Sequence, residues 1–299
     1  MAKFNVSICP VCNANAFSDF LTCTDYFVSG EEFQIKKCNS CGFKFTVNIE
    51  DESNIGVYYQ SEKYISHSNT SKGLVNNAYH RVRKLMLGKK RRLVEKSTAL
   101  KTGKILDVGT GTGFFLNEMK AKGWQITGTE KSDEARSFAK NEFGLELLPT
   151  EALFTLPENT YDVITLWHVL EHIHELNKNM DAFYRLLNPN GKLIIAVPNN
   201  ESSDAIHYKN YWAAYDVPRH IWHFAPTQME KLGQKHQFRL RGIFTMPFDS
   251  FYVSILSEKY RKSKLALIKG FYFGLISWFK SQFKPEDCSS VIYIFEKKI

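Results

Sequence analysis

The chain has 299 residues, 43% of them hydrophobic and 23% charged, which excludes disordered and collagen-like classes. That length allows one large domain plus a small one, with a sizeable core. A net charge of +8 admits an anionic partner such as nucleotide, phospholipid or RNA without requiring one. The N-terminal MAKFNVSICP has no apolar run behind its lysine, and no stretch reaches the ~18 unbroken apolar residues of a spanning helix. A cytosolic location is the default expectation.

The first element is built on cysteine. Cys9 and Cys12 form CPVC, and Cys38 and Cys41 form CNSC, with 25 residues between the pairs. Two such turns can each present two thiolates and together complete a tetrahedron, so a structural Zn2+ is expected. Residues 1–46 are too few to build their own core, and the metal would fold this ribbon. Phe33, Ile35, Phe43 and Phe45 alternate as short strands, while Cys23 and Cys288 read as buried small hydrophobes. Residues 47–100 are expected to be a linker with tyrosines at 58, 59 and 64, followed by a basic helix over about 76–97. Arg81, Arg83, Lys84, Lys89, Lys90, Arg91, Arg92 and Lys96 crowd that helix. A solvated face on a packed helix is preferred there to an RNA-binding stripe.

From residue 104 the rhythm changes. KILDVGT, WQITGTE, LELLP, YDVITLW and GKLIIAVP read as strands. They alternate with helical FFLNEMKAKG, SDEARSFAKNEFG and HVLEHIHELNKNMDAFYRLL. FRLRGIFTM and SSVIYIFEKK follow as a sixth and a seventh strand. This is an α/β pattern, a sheet with helices on both faces.

Asp107-Val-Gly-Thr-Gly-Thr-Gly113 joins the first strand to its helix. Glycines there let the backbone approach a ligand. The spacing is GxGxG rather than GxGxxG, and no GK[ST] follows, which argues against a P-loop. Glu130 ends the second strand, 17 residues after Gly113, where a carboxylate can accept both hydroxyls of a ribose.

DVGTGTG, Glu130, VITLWHVLEHI and LLNPNGKLIIAVPN, in that order, resemble a class I S-adenosylmethionine-dependent methyltransferase. The likeness runs over 101–299 and is nearest the bacterial ubiquinone-biosynthesis branch. It implies a Rossmann-like seven-stranded sheet, with 198–225 and 247–288 as substrate-cap insertions. A four-cysteine N-terminal module also occurs in some sugar C-methyltransferases of that broad group. Carried to matching positions, the resemblance puts Asp107, Gly109, Thr110 and Gly111 along the methionine and ribose. Glu130 would take the ribose hydroxyls, with Lys131 beside the adenine and Glu151 at its edge. Trp167 and His168 would lie near the sulfonium.

His168-Val-Leu-Glu171-His172 also matches the inverted zinc-protease signature HxxEH. The methyltransferase motifs account for the same segment. His168 is therefore expected to face cofactor or substrate, with Glu171 and His172 holding the corner by hydrogen bonds. Tyr215–Phe224, YDVPRHIWHF, falls in the acceptor-covering section and resembles a segment of the same branch that places a histidine near the methyl group. Arg219 and His220 are its pocket candidates, His220 the better base. A metal site on His220 and His223 is not expected, because no spaced carboxylate or thiol is evident. Trp222 and Phe224 are expected to pack.

Residues 259–284 carry seven basic residues and no acid, with an apolar stripe. A substrate cap, a dimer contact and a membrane-surface contact all stay open for them. The expected activity is methyl transfer to a small-molecule, sugar/glycan or lipid-linked acceptor, at oxygen. An RNA methyltransferase and a non-catalytic cofactor-binding scaffold are the alternatives. The protein would then be cytoplasmic, peripheral to the inner membrane if 259–284 docks.

Overall fold

The computed structural model describes residues 3–59, 74–246 and 248–298, the side chains of 74–82 excepted. Tyr64 and the side chain of Arg81 lie outside the described residues.

Short strands with alternating apolar residues build the N-terminal module: β1 (Lys3–Phe4), β2 (Phe17–Thr24), β3 (Glu32–Cys38), β4 (Lys44–Thr46) and β5 (Ile49–Glu50). Phe33, Ile35, Phe43 and Phe45 are buried on the inner face. Helix α1 (Leu74–Thr98) leads into the large domain. Its cations turn toward their own chain: Arg83 covers Phe114, Lys90 lies 4.4 Å above the Trp167 ring, and Arg91 pairs with Glu95 and Glu118. Lys84, Lys89, Arg92 and Lys96 are exposed on the same helix.

The central elements follow in chain order: β6 (Lys104–Val108), α2 (Phe114–Lys120), β7 (Gln125–Thr129), α3 (Asp133–Phe143), β8 (Tyr161–Trp167), α4 (Leu176–Leu186) and β9 (Leu187–Pro198). Next come α5 (Ser203–Tyr208), β10 (Trp222–His223), α6 (Pro226–Lys235), β11 (Phe238–Thr245), α7 (Asp249–Tyr260), α8 (Ala266–Phe283) and β12 (Ser290–Lys297). The sheet order is β11-β12-β9-β8-β6-β7, with β9, β8, β6 and β7 parallel and β12 antiparallel to both neighbours. Leu193 to Pro198 are all buried, as a strand covered on both faces requires.

Three sequence expectations need correction. Among the described residues the sheet has six strands rather than seven, because LELLP makes a single bridge, Leu148 to Thr129. Pro149 follows at once and has no N–H to carry the ladder on. The helix after β8 does not begin at His168. His168 takes a left-handed φ of 59°, a 3-10 turn spans Leu170–His172, and α4 starts only at Leu176. The segment 259–284 belongs to a two-helix hairpin rather than one helix, with the turn between Tyr260 and Ala266. No helix among the described residues is long and apolar enough to cross a membrane.

The N-terminal module is not a bead on a string. Its β4 pairs antiparallel with β10, so a strand from YDVPRHIWHF completes the order β10-β4-β3-β2. Trp222 stacks on Phe43, and its indole N–H donates to the Ile173 carbonyl at 2.6 Å. Thr46 Oγ1 donates to the His220 carbonyl at 2.8 Å and lies 3.0 Å from His223 Nε2. Beside this seam sits the fully buried Arg219. Its guanidinium donates to Asp25 Oδ1 at 2.9 Å, Asp216 Oδ1 at 2.6 Å and the Tyr58 carbonyl at 2.9 Å.

A buried pair broken on one side leaves an uncompensated charge, which costs about 3–5 kcal/mol. Asp25→Ala should therefore destabilise the fold by about that much in urea unfolding. A loss under ~1 kcal/mol would mean that water reaches the guanidinium.

Candidate active site

The glycine loop leaves β6 with Gly109, Gly111 and Gly113 at φ +64°, +58° and +81°. A Cβ on Gly109 would sit 2.6 Å from Val169 Cγ2, whereas one on Gly111 would meet nothing within 4 Å. Gly111 therefore turns bare backbone to open space. Its N–H donates to Glu130 Oε2 at 2.8 Å, and the Ser132 N–H donates to Oε1 at 3.0 Å, so the carboxylate is held at the loop's mouth. Asp107 is buried at the end of β6 and accepts from the Thr165 hydroxyl. Burial raises Asp107 to about 6, the Thr165 bond opposing the shift. Thr110 Oγ1 is buried beside the Asp107 carboxylate, and Trp167 Nε1 is buried without a hydrogen-bond partner. Trp167 also meets Phe115 edge to face at 5.4 Å.

Two expected cofactor contacts stand apart from this cluster. Lys131 Nζ donates to the Glu52 carbonyl at 3.1 Å. Glu151 sits exposed on the 3-10 turn Thr150–Thr155, near the Thr150 hydroxyl.

A second hollow of about 320 Å³ opens past the end of β8. Its walls include His168, His220, Asp216, Asp249, Tyr252 and Tyr260. The left-handed backbone of His168 carries the ring out of strand direction, between Asp249 Oδ2 at 3.0 Å and Glu171 Oε1 at 3.4 Å. The longer contact acts as an ion pair. Burial disfavours the imidazolium, but the Asp249 bond and the two carboxylate charges overcome it and raise His168 to about 10. His168 is therefore charged near neutrality and is a poor proton acceptor there. Burial and the nearby His220 push His172 the other way, to about 4. Its Nδ1 lies 3.0 Å from both the Arg219 carbonyl and the Tyr59 hydroxyl.

His220 Nδ1 is 2.9 Å from the Ala214 carbonyl, an atom that can only accept. Nδ1 must then carry a hydrogen, and in the neutral ring Nε2 is the acceptor nitrogen. Nε2 lies 3.8 Å from Asp216 Oδ2, and the His172 ring packs edge to face at 4.5 Å. Glu171 is fully buried; its Oε1 lies 3.4 Å from His168 Nδ1 and its carbonyl accepts from the Ile221 N–H at 2.8 Å, which ties the corner after β8 to the YDVPRHIWHF segment. Burial opposes its charge, yet the His168 pair and the field of His220 outweigh this and keep it ionised. Glu171, His172 and His220 bring ligand-type atoms within 4.8 Å of one another. A carboxylate does reach His220 in space, 49 residues away in sequence, where sequence spacing offered none. Arg219 also lines the hollow, but Asp25, Asp216 and Tyr58 occupy its guanidinium. His223 is buried against Thr46, in the seam.

A profile of the methyltransferase domain family matches residues 79–242, more than half of the chain. The chain belongs to this family. Its expected donor is S-adenosylmethionine. Similar curated proteins are ubiquinone biosynthesis O-methyltransferases. The one from Nitrosomonas europaea is 28% identical over 110 residues, 34% of this chain and 47% of that protein. The one from Idiomarina loihiensis is 22% identical over 172 residues, 52% of this chain and 70% of that protein. The chain thus spans about half the length of the first curated relatives it matches. A SAM-dependent methyltransferase from Archaeoglobus fulgidus shares the fold, with TM-score 0.50, 19% identity, 72% of this chain covered and 94% of that one.

The methyltransferase's glycine loop fits its cofactor on its own evidence. Bare Gly111 backbone and the Glu130 carboxylate held at the loop's mouth would receive it, and the buried Trp167 indole N–H is left unpaired. The four thiols are likewise compatible with zinc. Cys9 Sγ is 3.6 Å from Cys41 Sγ and Cys12 Sγ is 3.5 Å from Cys38 Sγ, near the ~3.8 Å edge of a tetrahedron with ~2.3 Å Zn–S bonds. All four lie within 4.8 Å of one another.

Asp249, Asp216 and Glu171 were not singled out as site residues from the sequence. Asp249 opens α7 within an insertion, and no motif marks it. The raised value of His168 fixes a sign: its pairing stabilises the fold fully below about 6.5 and is lost as pH rises through about 10. Asp249→Asn should cost about 1–2 kcal/mol at pH 7, discounted because a third of His168 is exposed, and the gap from wild type should close above pH 10. An equal gap at both pH values, read by denaturant melts, would assign the effect to packing.

Proposed function

We propose that the chain methylates a hydroxyl of a small-molecule, sugar/glycan or lipid-linked acceptor, with His220 as the base. The observation that carries this reading is the placement of His220 in the wall of the hollow, with Nδ1 tied to the Ala214 carbonyl and Nε2 left for another partner. The low-identity likeness to ubiquinone O-methyltransferases supports oxygen as the target.

Asp107, Gly109, Thr110, Gly111 and Glu130 hold the cofactor, Glu130 at the ribose, and Trp167 flanks it. Bound there, S-adenosylmethionine supplies an electrophilic methyl for in-line displacement, a reaction that depends mainly on alignment. The chain's own residues do the rest. His220 Nε2 takes the acceptor proton, with the Glu171 and Asp216 carboxylates beside it. His168, already charged, fixes the wall through Asp249 and adds positive potential. Buried Asp204 ties α5 to α8 and to the chain before β12, accepting from Trp212, Ser277 and Ser289. Cys9, Cys12, Cys38 and Cys41 hold a structural Zn2+, which stiffens the module bearing β4.

His220→Ala should keep S-adenosylmethionine affinity in calorimetry while slowing transfer to hydroxyl acceptors roughly 100- to 10,000-fold. Full turnover would remove His220 from the reaction. With labelled cofactor, label should appear in a small-molecule extract and not in bulk RNA. Metal analysis should give one zinc per chain, lost in Cys38→Ser together with β4–β10 amide protection. Retained zinc in that variant would point to another site.

A further inference from the structure

We propose that the outer face of the α7–α8 hairpin docks on an anionic phospholipid surface. The hairpin is packed inside out for a helix pair in water. Small residues let the two helices close up: Ser250 on α7 donates to the Gly274 carbonyl on α8, and Ser250, Gly270 and Gly274 are buried. A Cβ at Gly270 would lie 2.4 Å from Ile255 Cα, and one at Gly274 2.8 Å from Phe251 Cα, so the backbones touch. The large apolar side chains are left outside. Leu267, Ile268, Phe271, Phe279 and Phe283 are between 57% and 77% exposed. Small residues inside and large apolar ones outside is how helices pair in lipid, and a contiguous apolar face of this kind marks an interaction site.

Charge selects the occupant. Residues 259–284 hold seven lysines and arginines and no acid, and Lys262, Lys264, Lys269, Lys280 and Lys284 are exposed around the apolar face. A second copy would set lysine against lysine, whereas an anionic leaflet complements them. Because no described helix can span a bilayer, the hairpin would lie in the interface plane. Its position is also telling: Tyr252 is 53% exposed yet lines the hollow, with Val253, Leu256 and Tyr260 of the same helix behind it. The docked face would border the mouth of the acceptor hollow. None of this depends on His220 or on the atom methylated.

Flotation of the full chain with phosphatidylcholine vesicles, with and without phosphatidylglycerol, tests the proposal. The chain should float with the phosphatidylglycerol vesicles at low salt. Phe271→Ser/Phe279→Ser should abolish flotation. Each lysine near an anionic surface strengthens binding about fivefold, so Lys269→Gln/Lys280→Gln should weaken it about 25-fold. Unchanged S-adenosylmethionine affinity shows that a variant is folded. The proposal is overturned if the wild type stays in the buffer, or if folded variants float as well as it does. A lipid-free dimer dispersed by Phe271→Ser/Phe279→Ser would assign the face to a second copy and overturn it too.

Discussion

One buried cation organises this molecule. The Arg219 guanidinium reaches Asp25 in the N-terminal module, the Tyr58 carbonyl in the connection, and Asp216 in the cap loop. Such a charge is tolerable away from water only when its donors are met. Asp25 is itself fixed by the turn it caps, accepting from the N–H groups of Phe27, Val28 and Ser29. His220 is the next residue along, and the Arg219 carbonyl lies against His172. The place of the acceptor nitrogen thus depends on three distant segments agreeing about one guanidinium.

The same site shows how environment divides one residue type into two. His168 and His172 are four residues apart, and sequence treats them as a matched pair. The left-handed backbone at His168 sends its ring toward two carboxylates, which keep it protonated. His172 faces a carbonyl and another imidazole in a drier spot and stays neutral. Glu171, between them, keeps its charge through its pairing with His168. Such a carboxylate is poised to respond to any positive charge that appears beside it.

What the sequence made legible was local. The cysteine pairs, the glycine loop with Glu130 and the period of the strands each announce themselves within a few residues. That YDVPRHIWHF follows β9 and precedes α6 was legible from order along the chain. What escaped was set by contacts far apart in sequence. Arg219 read as a pocket residue because its partners Asp25 and Tyr58 lie 194 and 161 residues away. Asp249 carried no motif, and the nearness of Glu171 to His220 was hidden because His220 arrives from beyond β9. The helix after β8 looked continuous because apolar spacing does not reveal one left-handed residue. The third strand was overcounted because Pro149 cut it to a bridge.

The β4–β10 pairing makes two distant equilibria one. A strand shared by the cysteine module and the acceptor loop cannot be ordered on one side and loose on the other. Linkage runs in both directions. Whatever tightens the four thiols stiffens the loop that carries His220, and an acceptor that orders that loop raises the thiols' affinity for what they hold. Metal supply and substrate supply would then report on each other through two residue pairs, Trp222 with Phe45 and His223 with Lys44, leaving the glycine loop untouched.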